Sequence, residues 1–184
     1  MSKAKKYLDL GAAYGKTGKY EEAIKSFKKA MEIDPDDAFA HYGLGVVYYN
    51  KSGKHEEAIK SFKQAIRIDP DLAEAHNNLG TTYGELGRHE EAIESYKQAI
   101  EINPDYAKAH YGLGIAYRKS GKNEEAIESY KQAIEINPDY AKAHYNLGLT
   151  YIILKDRGSA MEQYKILKKL DTEMANELFN SIYK

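Results

Sequence analysis

The 184-residue sequence has no cysteine, no tryptophan and only four prolines. Without thiols it can form no disulfide, no thiolate-held zinc site and no cysteine nucleophile. It contains no run of about 18 apolar residues, the length that spans a bilayer. The start, MSKAKKYLDL, lacks the apolar core of a secretory signal. These absences exclude a membrane-inserted helix and point to a cytoplasmic protein. An excess of one charge is missing too, for 27 Lys and Arg stand against 28 Asp and Glu and the net charge is -1. That balance removes the broad attraction needed for nonspecific nucleic-acid or acidic-membrane binding, although a local basic patch is compatible with it.

What is there is tyrosine, 17 residues against four phenylalanines, in a chain whose 42% hydrophobic and 30% charged content suits a folded soluble protein. Repetition places it. Leu-Gly recurs at Leu10-Gly11, Leu44-Gly45, Leu79-Gly80, Leu113-Gly114 and Leu147-Gly148, at spacings of 34, 35, 34 and 34. Tyr follows three places later at Tyr14, Tyr48, Tyr83, Tyr117 and Tyr151. Ala23, Ala58, Ala92, Ala126 and Ala160 come next, with an aromatic four later at Phe27, Phe62, Tyr96, Tyr130 and Tyr164. Pro35, Pro70, Pro104 and Pro138 close the first four copies. The order L-G-x-x-Y, A-x-x-x-F/Y, P resembles the tetratricopeptide repeat over residues 4 to about 174.

Elementary patterning leads to the same fold. Apolar positions at helical spacing, such as Leu79, Tyr83 and Leu86 followed by Ala92, Ile93, Tyr96, Ala99 and Ile100, predict two amphipathic helices per copy. A glycine turn separates them at Gly18, Gly53, Gly87 and Gly121. The pairs Glu21-Glu22, Glu56-Glu57, Glu90-Glu91 and Glu124-Glu125 open the second helices, where carboxylates favour the positive end of the dipole. Asp34-Pro35-Asp36 and its counterparts at 69–71, 103–105 and 137–139 stop one hairpin and are expected to cap the next. Gly at the eighth position and Ala at the twentieth leave room where two helices touch, so Leu at Gly80 or Gly114 should cost about 1 to 3 kcal/mol.

The expected fold is all-α: a right-handed superhelical α-solenoid of five antiparallel helix hairpins plus a C-terminal capping helix, forming a single domain over 1–184. Repeats are expected at about 4–37, 38–72, 73–106, 107–140 and 141–174, with the cap at 175–184. The fifth copy departs from the pattern at Lys155-Asp156-Arg157, Leu167 and Thr172. Leu178, Phe179, Ile182 and Tyr183 then lie on one helix face suited to covering the last hairpin. No comparable cap precedes the first copy, which suggests an excised fragment, fraying or burial in an oligomer.

His41, His76, His110 and His144 recur at one repeat position, but helices about 8 to 10 Å apart cannot bring such residues to one point around a zinc ion. They read as packing residues. Gly43-Leu44-Gly45 and Gly112-Leu113-Gly114 lack the strand that a phosphate-binding loop needs. No catalytic residue, cofactor or metal site is assigned.

The family resemblance implies a concave wall built from the first helices, whose positions 2, 5, 6, 9, 12 and 13 meet the ligand. The implied peptide-binding residues are Phe39, Tyr42, Val46, Tyr49, Asn77, Asn78, Thr81, Lys108, Tyr111, Ile115, Arg118, Lys142, Tyr145, Asn146 and Leu149. Leu8, Ala12, Ile152 and Ile153 extend this wall, and Gly43 and Gly112 would let a ligand backbone approach. The alternative is that the rings pack on one another across repeats. Asn78 and Asn146 match the asparagine ladder of the O-GlcNAc transferase repeat region, which Asp9, Gly43 and Gly112 interrupt here. The two-carboxylate clamp for Hsp70 and Hsp90 C-terminal tails is matched at only two of its five positions, so those tails are not expected ligands. Residues 90–110 and 124–144 are identical, so a ligand crossing them meets similar chemistry twice.

These features imply a noncatalytic scaffold that binds an extended or helical peptide, with no nucleic-acid partner. The alternatives are a self-assembling homo-oligomeric module and the substrate-recruiting arm of a larger enzyme.

Overall fold

The computed structural model describes residues 2–184, which form eleven α-helices and no strand. They fall into two compact units, Met1–Arg88 and His89–Lys184. The amino-terminal unit holds α1 (Lys3–Lys16), α2 (Tyr20–Ile33), α3 (Ala38–Asn50), α4 (His55–Ile68) and α5 (Ala73–Glu85). The carboxy-terminal unit holds α6 (His89–Ile102), α7 (Ala107–Lys119), α8 (Asn123–Ile136), α9 (Ala141–Ile153), α10 (Arg157–Leu170) and α11 (Thr172–Ile182). Within each unit a helix touches only helices one or two places away in sequence.

Local chemistry explains the turns. Gly18, Gly53, Gly87 and Gly121 have φ between 73° and 77°, a left-handed conformation open to a residue without Cβ. In the fifth copy Lys155 takes that role with φ 62°. The Glu pairs occupy the first turns of α2, α4, α6 and α8.

The expected capping by the Asp-Pro-Asp segments needs correction. Only α3 receives a carboxylate cap of this kind, and it comes from Asp37, which accepts from the Phe39 and Ala40 amides. Leu72, Tyr106 and Tyr140 hold the N-cap positions of α5, α7 and α9 without a side-chain capping hydrogen bond. Those positions serve packing instead: Leu72 is buried, and Tyr140 packs on Tyr111 in a tilted arrangement with ring centroids 5.0 Å apart. Asp69 and Asn103 turn inward on their own loops, accepting from the Asp71 and Asp105 amides at 3.2 Å.

The repeated histidines have a specific task beyond packing. Nε2 of His41, His76, His110 and His144 lies 2.8 to 3.0 Å from the carbonyl of Pro35, Pro70, Pro104 and Pro138 respectively. Each ring thereby ties the loop between hairpins to the helix that follows.

Aromatic rings seated on glycines form the core. A Cβ added to Gly45 would lie 2.6 Å from the Phe62 ring, and one on Gly114 would lie 2.5 Å from Tyr130. Phe27 is gripped twice, by Gly11 of its own hairpin and by Gly43 of the next. Gly112 likewise faces Tyr96. The missing side chains of Gly43 and Gly112 make space for a ring from the preceding second helix, which corrects the expectation of room for a ligand backbone at the buried Gly112, while Gly43 also borders a cleft. Ala23, Ala58, Ala92, Ala126 and Ala160 are fully buried.

The fifth hairpin breaks this arrangement. Leu178 of α11, not the aromatic Tyr164, fills the space over Gly148, 2.6 Å from a Cβ placed there. Tyr164 is half-buried and meets Phe179 in a tilted arrangement with centroids 5.2 Å apart, and Phe179 in turn meets Tyr183 at 4.7 Å. Thus Leu178 and Ile182 are buried, whereas Phe179 is 39% and Tyr183 63% exposed. The four residues expected to share one covering face are split between two.

The first hairpin differs from the others on its outer face. Ala40, Ala75, Ala109 and Ala143 are fully buried at the third repeat position, whereas Lys6 stands exposed there in the first repeat. Asp9 and Ala13, at the sixth and tenth positions, are exposed as well.

Candidate functional site

In the amino-terminal unit, α1 and α3 border a cleft of about 480 Å3. Leu8 and Ala12 line one side, and Phe39, Tyr42 and Val46 the other. Phe39 is 56% exposed, unusual for a ring in a folded chain. Tyr42 is half-buried against Phe62, with centroids 6.0 Å apart, and burial raises its phenol pKa above the ordinary 10.0. The Asn78 amide donates to Tyr42 Oη at 3.1 Å, and Asn77 donates to Asn78 Oδ1 at 3.2 Å.

The implied site residues therefore divide. Phe39, Tyr42 and Val46 converge on the cleft. Asn77 is buried at 7% exposure and faces its neighbours rather than solvent, a correction to its implied place in the binding wall. Thr81 donates back to the Asn77 carbonyl at 3.1 Å. Tyr49 donates to the Glu85 carboxylate and stacks on His55, which fixes it at the helix end.

In the carboxy-terminal unit, α7 brings Lys108, Tyr111, Ile115 and Arg118 to one face, and α9 contributes Lys142, Tyr145, Asn146 and Leu149. Asn146 links the helices by donating to Tyr111 Oη at 3.1 Å and accepting from Arg118 Nη2 at 3.3 Å. This repeats the Asn78–Tyr42 link, so both asparagines at the sixth position hold the preceding tyrosine.

Tyr130, fully buried from α8, packs on Tyr111 at 6.0 Å. Burial pushes its phenol pKa up to about 12, against the opposing Arg118 charge. Neither Tyr130 Oη nor Arg118 Nε has a hydrogen bond of good geometry. Tyr145 is raised by burial first and by the Glu177 carboxylate beside its hydroxyl second. Tyr42 and Tyr111 each pack on rings of their own repeat and also border the face.

Sequence reasoning missed Tyr130, Tyr140 and Glu177 around this face. Tyr130 carries the core-aromatic signature and Tyr140 sits in a loop, so neither has a spacing that distinguishes it as a neighbour of Tyr111. Among the described residues no helix is long and apolar enough to cross a membrane.

Comparison with known proteins converges on one family. Models described as TPR repeat match residues 11–52, 49–87, 82–121 and 116–152, and one described as Tetratricopeptide repeat matches 141–173. No curated protein matches the chain. A solved structure of MamA is 30% identical, covers 91% of this chain and 97% of its own, and superposes with a TM-score of 0.82. YrrB is 27% identical with a TM-score of 0.79, covering 95% of this chain and 90% of its own. MamA from Desulfovibrio magneticus RS-1, at 24% identity and a TM-score of 0.84 over 94% of this chain and 97% of its own, shares the fold. Hairpins matched in tandem through residue 173, together with relatives of the same helical architecture, place the chain in the tetratricopeptide repeat family.

Proposed function

We propose that the protein is a noncatalytic interaction scaffold whose first helices bind an extended or helical peptide. The cleft between α1 and α3 carries this reading, because it is apolar, about 480 Å3 in volume, and bordered by the exposed Phe39. Such a recess suits an apolar anchor side chain, and a large exposed ring beside a cavity contributes most once a partner excludes water from it. Tyr111 and Tyr145 offer similar contact area on the second unit, while Lys108 and Lys142 remain exposed to set register. The likeness to YrrB, a TPR protein with an unusual peptide-binding site, supports the same reading.

The test uses a random dodecapeptide library selected against the full chain. Replacing Phe39 and Tyr145 together by Ala should weaken the selected peptides about tenfold or more while the far-UV spectrum stays helical. Equal affinity for parent and variant would remove the groove as the site.

A second reading, self-association, is favoured by the row Tyr164, Phe179 and Tyr183. Leu178 and Ile182 are already buried in their own chain, so the cap helix as a whole is not free to insert elsewhere. Mass measured across a concentration series should rise for the parent and stay monomeric for Phe179→Ser with Tyr183→Ser. A monomeric parent rejects this reading.

A further inference from the structure

The near-zero net charge of the chain conceals a segregation within the carboxy-terminal unit. Helices α7 and α9 carry Lys108, Arg118, Lys119 and Lys142 and no carboxylate. The second helices α6 and α8 carry eight glutamates and only two lysines. In the amino-terminal unit the pattern is absent, since α3 has no Lys, Arg, Asp or Glu and α5 carries Glu74 and Glu85.

Arg118 stands at the centre of the cationic face. It is half-buried, and among the described residues no carboxylate makes an ion pair with it. Its protein contacts are neutral: Nη2 meets Asn146 Oδ1, and the guanidinium lies beside Tyr130. Glu177 of α11 is engaged by the Tyr145 hydroxyl. A guanidinium drawn out of water without a counter-charge is unfavourable, and a carboxylate that reaches it forms charge-assisted, frequently bidentate hydrogen bonds.

The sequence isolates this feature. Over the repeated stretch the copies 90–110 and 124–144 are identical, Tyr111 and Tyr145 still match, and the first difference is Gly112 against Asn146. Position 12 reads Gly15, Tyr49, Gly84, Arg118 and Ile152, so arginine occurs there once. Gly112 and Asn146 differ at position 6, which gives Asn146 the amide that orients Arg118. Two of the substitutions that distinguish α7 from α9, at positions 6 and 12, thus meet at one hydrogen bond.

We infer that the α7–α9 face is a carboxylate-reading subsite for an acidic peptide, with Arg118 as the anchor and Lys108 and Lys142 as flanking contacts. The inference rests on the peptide-binding reading and adds the chemistry of the ligand. An acidic peptide is favoured over nucleic acid because one guanidinium and exposed lysines, flanked by the acidic α6 and α8, give a short cationic face and not a broad field.

The probe is the random dodecapeptide library, selected in parallel against the full-length parent, Arg118→Gln and Arg118→Lys. Peptides taken by the parent should be enriched in Asp and Glu, and should weaken as salt rises. Their affinity should fall about tenfold or more in Arg118→Gln and be largely retained in Arg118→Lys. Selected peptides without acidic enrichment, or an Arg118→Gln variant that selects the same peptides as the parent, overturn the inference while leaving peptide binding intact. Failure to select any peptide overturns the peptide-binding reading itself. Single-stranded oligothymidine binding more tightly than the best selected peptide assigns the face to nucleic acid instead.

Discussion

Glycine has two opposite meanings in these helices, decided by what a Cβ would meet. At Gly114 it would press into the Tyr130 ring, whereas at Gly84 it would meet nothing within 4 Å. Gly114→Ala should therefore destabilise by about 1 to 3 kcal/mol through overpacking. Gly84→Ala should stabilise by about 0.5 to 1 kcal/mol, because a helix-interior glycine carries an entropy cost that alanine does not. Urea denaturation of the two variants checks both signs. The small residue at the eighth position was legible from the repeat pattern, since the ring it receives lies in the same hairpin. Gly43 and Gly112 were not, because their rings, Phe27 and Tyr96, come from the preceding second helix. Asn77 misled for a similar reason, as its helical position resembles Tyr42 and Tyr111 while its burial follows from the neighbours around it.

At the scale of elements, the fifth hairpin shows how a repeat array is closed. Asp156 caps α10 by accepting from the Ser159 amide at 3.0 Å. Hydrogen bonding from Ser159 holds its carboxyl below the ordinary 3.8. A folded pKa lower than the unfolded one means that the contribution is complete above the unfolded value and is lost as pH falls through the folded value. Melting temperatures of the parent and Asp156→Ala should therefore differ most near neutrality and converge as pH drops below 3.8. A gap that widens in acid would show that the cap works otherwise. Helix α11 covers the hairpin with Leu178, and its existence was legible from the spacing of Leu178, Phe179, Ile182 and Tyr183. Which residues face inward was not, because the short connection from Leu170 to Thr172 decides how the helix is presented.

Over the whole molecule, stability is local because each helix meets only near neighbours within its unit. Leu178→Ala should cost about 2 to 4 kcal/mol where the side chain fills the space above Gly148. Its effect should appear in hydrogen exchange as faster exchange in α9 to α11, with α1 to α4 unchanged. Uniform acceleration would indicate cooperative unfolding of the entire chain. Charge follows the same local logic. The balance of 27 basic and 28 acidic residues describes no surface, since the acidic helices α6 and α8 sit beside the basic α7 and α9 in the carboxy-terminal unit.

The sequence by itself determined the helical hairpins, their turns and their family, because periodicity, glycine turns and first-turn glutamates act over a few residues and recur in tandem. Tertiary structure decided which side of a helix is spent on the core. It assigned Gly43 and Gly112 to neighbouring rings, Asn78 and Asn146 to the preceding tyrosines, and Leu178 to the space that an aromatic occupies elsewhere. It also left Arg118 without a carboxylate partner. The physical reason is common to all of these: a helix pattern fixes the direction of a side chain from its own axis, and only the packed neighbour determines whether that direction leads to a ring, an amide or open solvent.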